Sequence, residues 1–288
     1  MSELENEFIS VAVKSKGAEM YSLVSKQDGT EFIWQGNPDY WAWHAPVCFP
    51  IVGKVVNNQY QVGDNTYGLT VHGFARDMEF EELEADPNRV VYRLNYDETT
   101  LAKFPFKFQL DISYTLAGNG VSIVYVVKNV DDKPIYFSIG AHTGFNCPLL
   151  PGERFDDYEL VFEKTETAER HFTDEGLVSG QRELLLQEEN ILPLSQELFR
   201  DVLILKDLQS RYITLRGRKS GKSLTVYFEG FPYMGIWTKP EGAPFVCIEP
   251  WYGIPDSTGK SKQISEKEGI HSLVPEQEFR CAHRLVIP

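Results

Sequence analysis

Cysteine is scarce in this chain, and its spacing is informative. Cys48, Cys147, Cys247 and Cys281 are the four in 288 residues, and no two form a CxxC pair. Each sits among apolar or aromatic neighbours, which points to buried free thiols in a reducing cytoplasm rather than a disulfide framework or zinc knuckle. Long apolar runs are missing too. None approaches the roughly 18–20 residues of a membrane helix. The opening Met-Ser-Glu-Leu-Glu-Asn-Glu lacks the basic and apolar regions of a signal peptide. The expectation is a soluble cytoplasmic protein with no membrane partner. Basic charge is short: 28 Lys and Arg against 42 Asp and Glu leave a net charge of -14 and a pI near 4.9. A nucleic-acid binder needs a basic stripe to neutralise phosphates, so that partner class is excluded. A local basic pocket could still hold a small anion.

Two signatures of other enzyme classes are also lacking. There is no G-x-S-x-G nucleophile elbow. The segment Gly217-Arg218-Lys219-Ser220-Gly221-Lys222-Ser223 has three residues between its glycines, where a phosphate-binding loop has four. It also joins strand to strand, with no helix N-terminus to follow, and reads as a basic hairpin turn.

Period-two alternation is abundant. Phe106, Phe108, Leu110, Ile112, Tyr114 and Leu116 alternate with polar residues, the pattern of a half-buried strand. Gly118-Asn119-Gly120 turns the chain into a β-branched and aromatic run over 121–127, so the two form a hairpin. Residues 212–216 and 224–228 form a second. Further strands are expected at 8–13, 90–96, 135–139, 158–162 and 279–286. Helical signals are brief, at 99–103 and 195–199. The polar segment 174–195 is expected to be an excursion over the surface. Many short antiparallel strands with a 42% hydrophobic composition predict an all-β chain, a large antiparallel β-sandwich forming one domain over 1–288.

Three separated segments set ionisable side chains beside Gly or Pro at the edges of apolar runs: His72-Gly73-Phe74-Ala75-Arg76-Asp77, Ile139-Gly140-Ala141-His142 and Ile248-Glu249-Pro250-Trp251. A rigid β scaffold presents working groups from such strand ends and loops. A single histidine is more often structural than catalytic. Glu249 is the sharper signal, because a glutamate within the apolar run 245–251 needs a partner or carries a raised pKa. Two imidazoles and a carboxylate suffice for concerted proton donation and removal. They could also ligate iron or zinc, but no compact metal-ligand spacing is present. His171 reads as solvated surface and His283 as structural. Trp237, where its strand leaves the core at Thr238-Lys239-Pro240, and Phe74 are candidates to pack against the apolar face of a sugar ring.

Taken in order, Pro46-Val-Cys-Phe-Pro-Ile-Val-Gly-Lys54, His72-Gly-Phe-Ala-Arg-Asp77, Gly140-Ala-His142, Phe231-Pro-Tyr-Met-Gly-Ile-Trp-Thr-Lys239 and Ile248-Glu-Pro-Trp251 resemble the aldose 1-epimerase (galactose mutarotase) family, in its mutarotase-related branch. The resemblance runs from about residue 8 to the C-terminus. It implies the galactose mutarotase-like sandwich and interconversion of the α and β anomers of a free hexose, without a cofactor or metal. It gives Glu249 as base, His142 as acid and His72 as the histidine that holds and polarises the substrate. It gives Asp201 as a ligand of sugar hydroxyls. Lys54, Arg76 and Lys239 join Trp237 and Phe74 as substrate-binding candidates. The expected partner is a small aldose of the galactose or glucose class, with monomer and homodimer both left open. Two departures stand out: Lys54 where the family commonly has Arg, and Thr143-Gly144 where it has Pro-Ala. The first loses a planar fork, and the second is expected to loosen the loop holding His142. Two alternatives follow: a non-catalytic sugar-binding or sensing protein on the same fold, and a hexose-6-phosphate 1-epimerase.

Overall fold

A computed structural model describes residues 1–240 and 242–288. Among these the chain is nearly all β, with one short α-helix, Glu98–Leu101, in the region where a brief helix is expected. Fifteen strands form one antiparallel sheet. Its path runs from Val47–Cys48 through Ile139–Ala141, Phe245–Tyr252, Tyr233–Trp237, Leu203–Lys206 and Tyr158–Asp174. It continues through Tyr212–Gly217, Ser223–Tyr227, Glu278–Val286, Gly120–Asn129, Phe108–Ala117 and Arg89–Asn95 to Glu81–Asp86. A three-stranded sheet, Ser2–Glu5, Ile9–Lys14 and Glu19–Ser25, adds to it.

The long sheet turns back on itself. Phe49 adjoins its first strand, yet its ring lies 5.0 Å from that of Phe108, at the far end of the strand order. Phe49, Phe104, Phe108, Ile123, Leu215 and Ile248 share one buried core, the two inner faces of a sandwich. Alternation drives this. In Gly120–Asn129, paired in full with Phe108–Ala117, Val121, Ile123, Tyr125 and Val127 are buried while the residues between them are half-exposed. The two expected hairpins are present, and the basic segment 217–223 is a turn whose Lys219 and Lys222 pair with Asp157 and Asp28.

The segment 174–195 departs from expectation. It is mostly a strand, Leu177–Pro193, paired with Tyr158–Asp174 in a hairpin whose strands have 17 residues each. Its exposure is as expected, since only Val178, Leu186 and Leu192 of that strand are buried. Several register shifts break the ladder, so no steady alternation shows in the sequence. The hairpin tip reaches back to the first strands of the sheet. Lys54 donates to the Glu175 carbonyl at 2.8 Å, and Val178 donates to the Asp256 carbonyl at 2.8 Å. A buried ion pair, Asp256 with Lys267 at 3.2 Å, backs this junction. No helix among the described residues is long and apolar enough to cross a membrane.

Candidate active site

The strand Phe245–Tyr252 organises the site. Glu249 and Trp251 lie two residues apart and therefore face the same side. On one flank Gly235 pairs with Glu249, and on the other Gly140 pairs with Trp251 and Thr143 with Ile248. That register carries His142 opposite Glu249. The Trp251 indole lies over two glycines: a Cβ at Gly235 would sit 2.4 Å from it, and one at Gly140 2.5 Å. Only glycine leaves room for the ring there.

His142 Nε2 is 3.2 Å from Glu249 Oε2, and both side chains are buried. They are close without being aligned, so both carboxylate oxygens lack a hydrogen-bond partner among the described residues. Burial pushes Glu249 well above the usual carboxylate range, offset only in part by the nearby Trp251 indole. Burial, then the Arg76 charge, pulls His142 down to about 3. An ionised Glu249 is expected from sequence to keep His142 charged. Burial is the largest influence on both groups and favours the uncharged pair, which holds the same single proton.

His72 is fixed differently. It adopts a left-handed backbone with φ of 64°, rare for a residue with a Cβ. Its backbone N–H donates to the Gly53 carbonyl at 2.8 Å, and Gly53 N–H donates to His72 Nδ1 at 3.1 Å. Nδ1 is thus an acceptor, and in the neutral ring the proton is on Nε2. Burial, with His142 and Arg76 nearby, holds the pKa of His72 well below its ordinary value. The two imidazoles meet edge to face at 5.0 Å.

These groups line one cavity of about 530 Å³, within the range of small-molecule sites. His72, His142 and Glu249 are joined there by Lys54, Arg76 and Trp237. The Arg76 guanidinium lies over Trp43 at 4.6 Å and donates to the Val71 carbonyl at 2.9 Å. Three candidates lie elsewhere. Phe74 is in the core against Phe49, Phe104 and Phe108, because its residue type suits the apolar side of its turn. Lys239 is outside the cavity, donating to the Asp39 carbonyl at 2.9 Å. Asp201 does not line the cavity either. Its carboxylate accepts from the Thr173 N–H at 2.6 Å and hydroxyl at 2.7 Å, and so holds the tip of the long hairpin.

Trp41 lines the cavity and was not singled out by sequence. Its ring stacks on His142 at 4.8 Å with 27° between the planes. The aromatic cluster Tyr40-Trp41-Ala42-Trp43 after Asn37-Pro38-Asp39 was the available signal. The departure at Thr143-Gly144 does not loosen His142. Residues Thr143–Asn146 form a strand paired with Phe245–Tyr252. A Cβ at Gly144 would sit 3.0 Å from the Trp41 ring, so the glycine makes room for that stack. Thr173, Glu175 and Gly176 of the hairpin tip close one wall. Their contribution was hidden because it depends on a long-range fold-back.

The aldose 1-epimerase family model matches residues 1–263. The chain belongs to the aldose 1-epimerase family. It is 36% identical over 295 residues to the chromosomal protein LacX of Lactococcus lactis subsp. lactis, covering 99% of this chain and 98% of that one. A galactose mutarotase related enzyme from Lactobacillus acidophilus superposes with a TM-score of 0.95 at 33% identity, over 99% of this chain and 96% of the other. A galactose mutarotase-like protein from Lactobacillus casei ATCC 334 gives 0.94 at 33% identity, over the whole of both chains. The fold is galactose mutarotase-like. A putative aldose 1-epimerase from Escherichia coli K12, with a TM-score of 0.77 and 14% identity, shares the fold.

Proposed function

We propose that the protein is an aldose 1-epimerase that interconverts the α and β anomers of a free hexose of the galactose or glucose class. The observation that carries this reading is the buried His142–Glu249 pair, 3.2 Å apart at the cavity, with both carboxylate oxygens unpartnered among the described residues. Mutarotation needs one proton removed from the anomeric hydroxyl and one delivered to the ring oxygen. A pair that holds a single proton has the right inventory. Burial favours the uncharged arrangement. Sugar hydroxyls entering the cavity supply the hydrogen bonds that the carboxylate lacks, and so favour the ionised Glu249 with protonated His142.

From that arrangement Glu249 takes the proton of the anomeric hydroxyl while His142 gives its proton to the ring oxygen. The C1–O5 bond breaks, C1 becomes an aldehyde, rotation about C1–C2 exposes its other face, and both transfers reverse. His72, with its proton on Nε2, is a neutral donor that holds and polarises the substrate. Trp41 and Trp237 meet nearly at right angles at 5.9 Å beside His142 and offer apolar faces to the ring. Lys54 and Arg76 at the cavity, in a chain of net charge -14, favour a hexose 6-phosphate as the second reading. The test is polarimetry on freshly dissolved α-glucose, α-galactose and glucose 6-phosphate. A protein-dependent increase in the relaxation rate supports epimerase action, and the preferred sugar separates the two readings. Tight sugar binding at the spontaneous rate would instead make this a sugar-binding protein.

A further inference from the structure

Cys247 lies two residues before Glu249 on the same strand, so both point to the same side of the sheet, and the register brings His142 beside them. One ligand atom from each of His142, Cys247 and Glu249 lies within 4.8 Å of the others, and all three residues are buried. The donors are an imidazole nitrogen, a thiol sulfur and a carboxylate oxygen. That set suits a borderline-soft divalent cation such as Zn²⁺ and not Mg²⁺ or Ca²⁺, which prefer all-oxygen shells.

We infer that His142, Cys247 and Glu249 form an inhibitory site for a thiophilic divalent cation, with Zn²⁺ the best fit. The geometry is near what such an ion needs. Bonds of about 2.0–2.2 Å to nitrogen and oxygen place neighbouring tetrahedral ligands about 3.3–3.5 Å apart. His142 Nε2 and Glu249 Oε2 are already 3.2 Å apart. The widest pair of the three must close by about 1 Å to admit the longer bond to sulfur. Among the described residues both oxygens of Glu249 are without hydrogen-bond partners, so no such bond is broken when one takes a cation. The cavity that His142 and Glu249 line leaves room for a water as fourth ligand.

Charge also favours the site. A thiolate, a carboxylate and a neutral imidazole around a dication sum to zero, the only total that burial tolerates cheaply. Binding expels the thiol proton and the proton that His142 and Glu249 share, so zinc should bind more tightly as pH rises. The cation is not a cofactor here. It occupies both the proposed base and the proposed acid, and therefore competes with the sugar.

The binding claim stands apart from the epimerase reading, while the inhibition rests on it. Co²⁺ is the probe that separates them. Titrated into chelator-treated wild-type protein, Co²⁺ should give a near-ultraviolet thiolate-to-cobalt charge-transfer band, and Zn²⁺ should erase it. Cys247→Ser should abolish the band. In the polarimetric assay Zn²⁺ should slow mutarotation competitively with galactose, with Cys247→Ser raising the inhibitory concentration about tenfold or more. Absence of a charge-transfer band in the wild type overturns the site, as does a band unchanged in Cys247→Ser. Inhibition by Mg²⁺ at the same concentrations would overturn the ligand-set argument. Failure of the epimerase reading leaves the cobalt spectrum intact.

Discussion

Replacing Glu249 with glutamine separates its chemistry from its place in the fold. Gln keeps the side chain's shape and removes both the charge and the proton acceptor. Glu249 is 1% exposed and neither oxygen has a hydrogen-bond partner among the described residues, so the substitution breaks no hydrogen bond there. A positioned general base contributes roughly 10²–10⁴ in rate. Turnover should therefore fall at least about a hundredfold, or about 2.7 kcal/mol of transition-state stabilisation. Galactose should still bind, because the cavity walls are intact. Stability should move the other way. Burial raises the Glu249 pKa in the folded state above its unfolded value of about 4.3. The folded protein then holds the proton more tightly, and this contribution is fully present below about pH 4.3. It is lost as pH rises through the folded value, because the carboxylate must ionise in place. Glu249→Gln should thus gain in Tm relative to wild type as pH climbs from about 4. Anomer exchange by NMR, sugar binding by calorimetry and Tm across pH read the three effects. Near-wild-type turnover would remove Glu249 from the mechanism, and a Tm difference independent of pH would refute the burial argument.

Acid should destabilise the protein through two buried imidazoles. Burial pulls both His142 and His283 down to about 3, so their neutral forms support the fold above the unfolded value of about 6.5 and that support is lost as pH falls towards 3. His283 stacks on Tyr125 with 15° between the rings, so His283→Phe should flatten the fall in Tm between pH 6.5 and 4; an unchanged slope counts against this. Trp41→Ala should raise the KM for galactose several-fold, whereas Phe74→Ala should lower stability by about 3–5 kcal/mol through its core packing; chemical denaturation and kinetics on both variants check the contrast. Asp201→Asn and Thr173→Val should impair catalysis through the same hairpin tip, so the double variant should be no worse than the poorer single; additive losses would mean that Asp201 acts on the sugar directly.

Much of the fold was legible because its strands are wet on one face. The run 106–116 and its partner 121–127 alternate cleanly, and each strand pairs where the hairpin turn at Gly118 requires. The strand Leu177–Pro193 was not legible as one, since it is largely exposed and its ladder is broken by bulges. At the site, His72, His142 and Glu249 stood out because ionisable groups sat next to Gly or Pro in apolar surroundings. Which aromatics face the cavity was not readable. Phe74 and Trp41 both occur in turn-rich segments, and only tertiary packing sends Phe74 into the core and Trp41 onto His142. Asp201 matched a short motif, but its partner Thr173 belongs to a hairpin tip brought in from 28 residues away. The nearness of Cys247 to His142 likewise depends on strand order, which spacing along the chain does not encode.

On the proposed mechanism a buried carboxylate–imidazole pair opens and recloses a hexose ring. Magnetisation exchange between the α and β anomeric proton signals at equilibrium measures that step with no coupling reaction. With wild-type protein and galactose or glucose, exchange cross-peaks should appear within seconds and grow in proportion to protein concentration. Sugar resonances that broaden on binding while the anomers exchange only at the spontaneous rate would contradict it.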